Sequence, residues 1–379
     1  MKYGVWLYPW DLLDFGPNRI AKDLSTTGMT DVCLAVSYHS VRVLLPDNPR
    51  RTFFDAPKAA VYFVPDKRLW AEEPLVPTVA PLVAERGDAV ALARTMTPGT
   101  PLRLVGWTVC LHDSALALRE PGAAAHHVWG GRSLASVCVA NPTTRRYAAA
   151  LVADVAARVD AVQLEAAHWL TPHAAHQKTD TAQPSVFRRL SAYCVCQHCQ
   201  NRVEAEGGDS MRLVADLRAI ARRVVDELDR RTVAEGDVDS YLAESVRDFG
   251  PFMRARSGAV TSLVAELKTS AATTPVEFVS YGDRAITGIE LRAIEQLGVD
   301  VRVLAYGVPD VVGRSLEQLK AAPDAPHAFG VGLSALPSEA PDRAALHGAH
   351  DAAVAEGATS ITYYNYGLLN ARRRSWLRR

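Results

Sequence analysis

The chain has 379 residues, of which 48% are hydrophobic, and its 42 Lys and Arg balance its 42 Asp and Glu. Nothing in this neutral balance favours binding to nucleic acid or to an anionic membrane surface. No apolar run approaches the ~18 residues of a membrane span. Because no basic segment followed by an apolar segment precedes the first strand-like stretch, we expect a cytoplasmic protein.

Short apolar runs alternate with amphipathic stretches along the chain. Near-continuous apolar runs are typical of strands that are buried on both faces of a parallel sheet. The pattern predicts eight strands, at 3–10, 31–37, 102–111, 161–164, 276–280, 301–306, 329–333 and 360–365. Helical spacing predicts helices at 20–27, 82–96, 210–233, 242–269, 289–297, 311–320 and 343–356, and another that Asn141 and Pro142 open.

Eight strands that alternate with helices predict a (β/α)8 TIM barrel, which we expect to form a single domain over residues 1–379. A long excursion follows the second strand, over 41–70, and a Cys-rich insertion follows the fourth. The alternative is a doubly wound open sheet. The absence of a Gly-rich phosphate loop after any strand argues against that alternative. The composition leaves homo-oligomerisation open.

The chemistry of such a barrel gathers where its strands end. Aromatic rings can cover the apolar faces of sugars, while carboxylates and imidazoles bind hydroxyl groups, so we expect a small-molecule carbohydrate or glycoside to bind there. The candidate substrate-binding residues are Trp10, Asp11, Tyr38, His39, Arg42, His112, His173, His176, Tyr281, Tyr306, Tyr364 and Asn365. His173 and His176 are spaced to share one face of a helix, where they could bind a metal or an anion, although a loop fits them equally well.

Glu165 is the foremost candidate for catalysis because it ends an apolar strand. Burial would raise the pKa of its carboxyl group and suit it to donate or accept a proton near neutral pH. Glycoside hydrolysis needs a second carboxylate across the sugar. Asp283, after the fifth strand, is the first candidate for that role, followed by Asp113 and Asp11, and Glu339 lies in the loop after the seventh strand.

Three thiols lie within six residues, at Cys194, Cys196 and Cys199. This spacing indicates a structural zinc site, which is tetrahedral and needs a fourth ligand from elsewhere in the chain. Cys138, Cys110, His198 and His173 are the candidates for that ligand.

The segment Cys138-Val-Ala-Asn-Pro-Thr-Thr-Arg-Arg-Tyr147, with the strand ending in Glu165 and the later Cys-x-Cys-x-x-Cys, resembles the β-galactosidases of glycoside hydrolase family 42. It is also similar to further bacterial (β/α)8 proteins of the glycoside hydrolase class. The resemblance implies that Cys138 joins the three later thiols on zinc and that Glu165 is the acid/base. The chain departs from the family at Leu164, where the family has Asn, and at the end of the seventh strand. There, Leu333 or Ser334 stands in place of the nucleophilic Glu.

Three functions remain open at this point. The first is a glycoside hydrolase in which Glu165 protonates the glycosidic oxygen and Asp283 acts as nucleophile or base. The second is a sugar isomerase, epimerase or lyase with Glu165 as base, assisted by His112, His173 or His176. The third is a sugar-binding barrel without catalysis, which the missing acid on the seventh strand favours.

Overall fold

The computed structural model describes residues 1–170, 185–226 and 233–377. Its main sheet contains eight parallel strands whose apolar composition matches their burial on both faces. In chain order they are β1 (Lys2–Leu7), β2 (Asp31–Tyr38), β3 (Arg103–Val109), β4 (Ala161–Glu165), β5 (Val276–Ser280), β6 (Asp300–Leu304), β7 (Gly330–Ser334) and β8 (Ser360–Tyr364).

The eight strands close into a barrel. Each strand pairs in parallel with its neighbour in chain order, and β1 pairs with both β2 and β8. Gly4 lies opposite Asp31 on one side and opposite Thr362 on the other. The prediction of a (β/α)8 barrel is therefore confirmed.

Helices surround the barrel. In chain order they are α1 (Pro9–Phe15), α2 (Pro17–Thr26), α3 (Pro81–Arg86), α4 (Ala89–Arg94), α5 (Ser114–Arg119), α6 (Pro142–Ala156), α7 (Ser185–Ser191), α8 (Gln197–Ala205), α9 (Ser210–Asp226), α10 (Val238–Ser245), α11 (Phe249–Ser270), α12 (Arg284–Thr287), α13 (Leu291–Gln296), α14 (Pro309–Ala321), α15 (Arg343–Ala355) and α16 (Ala371–Arg374). None of the helices in the described segments combines the length and apolar character required to cross a bilayer.

Several boundaries differ from the sequence prediction because local backbone signals override apolar periodicity. The first strand ends at Leu7, and Pro9 then begins α1, since proline suits the first turn of a helix. The predicted helix over 82–96 is two helices, separated at Gly87, whose φ of 91° a helix cannot accommodate. The predicted helix over 242–269 is likewise two helices, α10 and α11.

The two segments outside the barrel contain additional structure. The excursion after β2 includes an antiparallel hairpin of Val41–Leu44 with Phe53–Ala56, and Ala60–Val61 pairs antiparallel with the end of β2. A second hairpin pairs Ala124–His126 with Arg132–Val137 before α6.

Buried side chains form three clusters. The largest fills the space between the barrel and its helices. The second lies inside the barrel and is rich in aromatic rings, including Trp6, Tyr8 and Trp107. The third joins α7 to α11 around Tyr193 and Phe252, so the Cys-rich insertion packs on a core of its own beside the barrel.

Candidate functional site

On β3 and β4, every second side chain points into the barrel. Trp107 lies opposite Gln163, and Val109 lies opposite Glu165. Because successive residues of a strand point to opposite faces, Trp107 and Glu165 both point into the barrel. Glu165 is the last residue of β4 and therefore lies at the mouth of the barrel.

The Glu165 carboxylate accepts a hydrogen bond from the indole Nε1 of Trp107. Among the described residues, Glu165 forms no ion pair. Burial raises its pKa to about 7, and the Trp107 hydrogen bond offsets only part of that rise. A carboxyl group with this pKa exchanges a proton near neutral pH, which is the property required of a general acid or base.

The charge of this carboxylate acts on four buried or half-buried tyrosines. Burial raises the pKa of each phenol, and the negative charge of Glu165 contributes to the rise in all four. They are Tyr38, Tyr281, Tyr306 and Tyr364, and we refer to them with Glu165 and Trp107 as the mouth cluster. These residues come from six different strands or the loops that follow them, so closure of the barrel is what assembles them.

Tyr8 completes the inner side of this cluster. Its hydroxyl lies 2.7 Å from the hydroxyl of Tyr364 and 3.1 Å from that of Tyr38. Its ring stacks on Trp107, with 5.8 Å between ring centroids. The aromatic surface is thus held by both stacking and hydrogen bonds, which leaves it little freedom to rearrange.

Glu339 approaches the same cluster from the loop after β7. The hydroxyl of Ser334, the last residue of β7, donates to Oε2 of Glu339 at 3.2 Å. The negative charges of Glu165 and Glu339 both raise the pKa of Tyr306, in addition to the effects of burial and Tyr364. Glu339 therefore places a second carboxylate near the mouth cluster, although no strand ends in it.

Asp283 and Asp113 have other contacts. Asp283 caps α12 through the amide of Ala285, lies 2.9 Å from Nη1 of Arg189, and has a side chain that is 42% exposed. Asp113 caps α5 through the amide of Leu116 and accepts a hydrogen bond from the hydroxyl of Tyr147 at 3.0 Å. Burial raises the pKa of Asp113.

Trp10, Asp11 and Asn365 lie where the loops after β1 and β8 meet. All three are fully buried. Trp10 stacks on Tyr8 and Phe54. The Asn365 side chain caps the turn after β8, and a Cβ atom at Gly367 would overlap the Asp11 carboxyl group. Burial raises the pKa of Asp11 to about 8.

The predicted histidines fall into two groups. His39 stacks on His112 with 4.3 Å between ring centroids, next to Tyr38, and burial lowers the pKa of His39. His173 and His176 lie outside the described residues.

Arg42 is exposed on the hairpin after β2, where its ion partner is Asp55 at 3.4 Å.

The four cysteines predicted as metal ligands lie together. Their sulfur atoms are all within 4.8 Å of one another, and among the described residues no other group of three or more His, Cys, Asp or Glu could hold a metal ion. Cys138 lies 3.5 Å from Cys196, 3.6 Å from Cys199 and 3.9 Å from Cys194. Tetrahedral Zn–S bonds of about 2.3 Å would set sulfurs ~3.8 Å apart, so the donor set fits such an ion.

Local structure supports this arrangement of thiols. Cys196 is the N-cap of α8, where the helix dipole favours a thiolate. The amide of His126, on the hairpin before α6, donates to Sγ of Cys194 at 3.2 Å. Cys138 follows that hairpin, so the cluster joins the loop before α6 to the insertion after β4.

Sequence reasoning missed Trp107, because it lies inside a strand rather than at its end. Its inward alternation with Val105 and Val109 was the available signal. Sequence reasoning also ranked Glu339 low, because the position of its carboxylate depends on the path of the loop after β7.

Comparisons with known proteins find similarity only in the fold. No protein-family model and no curated protein matches the sequence. The glycoside hydrolase domain of PgaB (BpsB) from Bordetella bronchiseptica superposes with a TM-score of 0.60 at 12% identity, covering 100% of this chain and 98% of that domain.

Two β-galactosidases are also similar. The enzyme from the psychrophilic Marinomonas ef1 has a TM-score of 0.54 at 12% identity and covers 100% of this chain. The enzyme from the haloarchaeon Halorubrum lacusprofundi has a TM-score of 0.54 at 13% identity and covers 97%. This chain spans only 58% and 53% of those two enzymes.

These structural neighbours are glycoside hydrolases. The chain thus has the (β/α)8 fold on which such enzymes are built, with a carboxylate at the barrel mouth and four thiols in a cluster beside it. At these identities the likeness establishes the fold, and the chemistry has to be argued from the site.

Proposed function

We propose that this protein is a glycoside hydrolase-like enzyme in which Glu165 is the acid/base. The observation that carries the proposal is the position of Glu165. It ends a barrel strand, has a pKa of about 7, and faces an aromatic cluster without a cationic partner among the described residues. A carboxylate that served only structure would be expected to have an ion pair to offset its burial.

In this proposal Glu165 in its acid form donates its proton to the glycosidic oxygen as the bond to the sugar breaks. The Trp107 indole orients the carboxyl group by its hydrogen bond. The rings of Tyr306 and Tyr364, 5.8 Å apart, would cover an apolar face of the sugar, and the hydroxyls of Tyr38 and Tyr281 would contact its hydroxyl groups.

The second carboxylate that we favour is Glu339, which lies beside Ser334 at the end of β7 and whose charge, like that of Glu165, raises the pKa of Tyr306. The sequence favoured Asp283, but that side chain is paired with Arg189 and caps a helix. Glu339 would act as nucleophile or as the base that activates water. A separation of roughly 5–5.5 Å between the two carboxyl groups would imply retention at the anomeric carbon, and roughly 6.5–9.5 Å would imply inversion.

The test is turnover of 4-nitrophenyl glycosides, beginning with β-galactosides and α-L-fucosides, by wild-type protein and Glu165→Gln. We expect the variant to lose turnover at least ~10²-fold, because general acid catalysis contributes about that much or more. Gln has the shape of Glu and can still accept from Trp107, so the fold should persist. Glu244→Gln, an exposed change, is the control.

Full turnover by Glu165→Gln would exclude Glu165 as the acid. Wild-type protein that binds sugars but cleaves none, with affinity unchanged in Glu165→Gln, would instead indicate a sugar-binding barrel.

The four-cysteine cluster is proposed to hold one structural zinc ion per chain. The support is the set of sulfur separations and the fact that four protein ligands leave no open coordination position for catalysis. Structural zinc can contribute on the order of 10 kcal/mol to folding. We expect Cys196→Ser to lose the metal and Glu165→Ala to retain it, as measured by elemental analysis of purified protein. Purified wild-type protein without metal would contradict the proposal.

A further inference from the structure

Arg256 is an arginine of α11 whose charge has no carboxylate partner among the described residues. Its side chain is 2% exposed. Its Nη2 donates to the carbonyl of Ile286, whereas Nε and Nη1 have no hydrogen-bond partner in the described parts of the chain. A buried cation without a counter-charge is costly, so its presence needs an explanation.

Aromatic rings surround this guanidinium. Its central carbon lies 4.8 Å from the ring centroid of Trp169, 4.7 Å from that of Tyr193 and 5.5 Å from that of Phe252. Each such contact stabilises less than the desolvation of an arginine costs when it leaves water. The rings therefore hold the guanidinium in place, but they do not supply the missing negative charge.

The cysteine cluster lies directly beside this cation. Arg256, Arg202 and Cys199 line one small cavity of about 10 Å³, which is room for about one water molecule. Tyr193, one of the three rings, immediately precedes Cys194. Arg202 follows Cys199 by three residues on α8, so the two share a face of that helix. Arg202 also has no ion pair among the described residues.

The net charge of the metal-loaded cysteine cluster connects these features. A divalent ion held by four cysteines is bound by thiolates, so the loaded site keeps two net negative charges. The cluster is largely buried, and it therefore needs positive charge nearby. Arg256 provides a positive charge that no described carboxylate pairs with, and Arg202 provides a second one, which the charge of Glu266 also attracts.

We propose that Arg256, assisted by Arg202, is the counter-charge of the metal-loaded cysteine cluster. The aromatic rings and the Ile286 carbonyl hold Arg256 in position, and its charge stabilises the site only when the metal is bound. This inference rests on the proposed zinc site, and its consequence is that zinc affinity depends on residues that do not touch the metal.

The experiment compares Arg256→Met, which keeps length and apolar bulk, with Arg256→Lys, which keeps the charge. Zinc affinity is measured by competition with a chromophoric chelator, and stability is measured by denaturant unfolding with zinc bound and after chelation. Arg256→Met should weaken zinc binding about 10–100-fold, as changes to residues around metal ligands commonly do. Arg256→Lys should recover most of that loss.

The stability measurement separates this role from a purely structural one. Arg256→Met should destabilise the zinc-loaded protein, but leave the metal-free protein equally stable or more stable, since it removes an uncompensated buried cation. Arg374→Met is the matched control, because Arg374 is also buried against aromatic rings but is paired with Asp47. This control should lose similar stability in both forms and keep wild-type zinc affinity.

Unchanged zinc affinity in Arg256→Met, with equal stability losses in both forms, would overturn the inference. If Arg256→Met does not fold, the zinc affinity of Arg202→Met is measured instead. A several-fold weaker zinc affinity supports the inference, and wild-type affinity overturns it. Wild-type protein that binds no zinc would refute the zinc site itself, which is a distinct outcome.

Discussion

Glu165 and Glu277 lie on the neighbouring strands β4 and β5, at opposite ends of the barrel. Glu277 faces a cavity of about 440 Å³ at the end where the strands begin. It is 2.7 Å from Arg302, and it accepts a hydrogen bond from Gln163. Glu165 accepts from the neutral indole of Trp107, and it has no described ion pair.

The difference between these two glutamates shows how one barrel interior uses the same side chain in two ways. Arg302 supplies a counter-charge to Glu277, and the pair belongs to a network that also includes Gln163. Glu165 has no such partner, and burial therefore shifts its pKa toward neutrality. The partner, rather than the residue type or the depth of burial alone, distinguishes the environments of these two carboxyl groups.

The largest expected effect tests this contrast directly. Glu277→Gln should destabilise the protein by about 3–5 kcal/mol, because it leaves the buried Arg302 guanidinium without its charge partner. The same change at Glu165 leaves no unpaired cation and should cost less than about 1 kcal/mol. Urea unfolding of both variants at one pH measures the difference. Equal losses would show that the ion pair does not distinguish the two positions.

The next effect concerns the partner of Glu165 in the proposed chemistry. Glu339→Gln should lower turnover of an active aryl glycoside by at least ~10²-fold, while Asp283→Asn should change it less than about tenfold. The physical reason is that the charge of Glu339 acts on Tyr306 together with that of Glu165, whereas Asp283 is already paired with Arg189. The reverse order of the two losses would restore Asp283 as the second carboxylate.

The smallest effect is the pH dependence of stability. The folded pKa of Glu165, about 7, lies above the ~4.3 of an exposed glutamate. The folded protein therefore keeps a proton that the unfolded chain releases, and stability falls as pH rises from about 4.3 through about 7. Glu165→Gln lacks this titration, so its stability relative to wild type should increase between pH 5 and pH 8.

Denaturant unfolding at those two pH values provides the measurement, with Glu244→Gln as the exposed control. A difference between wild type and Glu165→Gln that does not vary with pH would show that Glu165 titrates as an ordinary glutamate.

The sequence by itself determined the barrel and three of the four thiols of the cluster. Eight apolar runs that alternate with helical stretches leave few other ways to bury both faces of a parallel sheet. Three cysteines within six residues are equally local information. Glu165 was also apparent, because a carboxylate that ends a continuous apolar strand is visible in the chain itself.

The tertiary structure alone decided which groups meet Glu165. Trp107 reaches it from the middle of a strand, and Glu339 reaches the same cluster from a loop, because barrel closure and loop course set distances that spacing does not encode. The same is true of Arg256, which lies 57 positions beyond Cys199 in the chain but lines a cavity with it. Periodicity determines which residues are buried, whereas packing between distant segments determines the partners that set their charge.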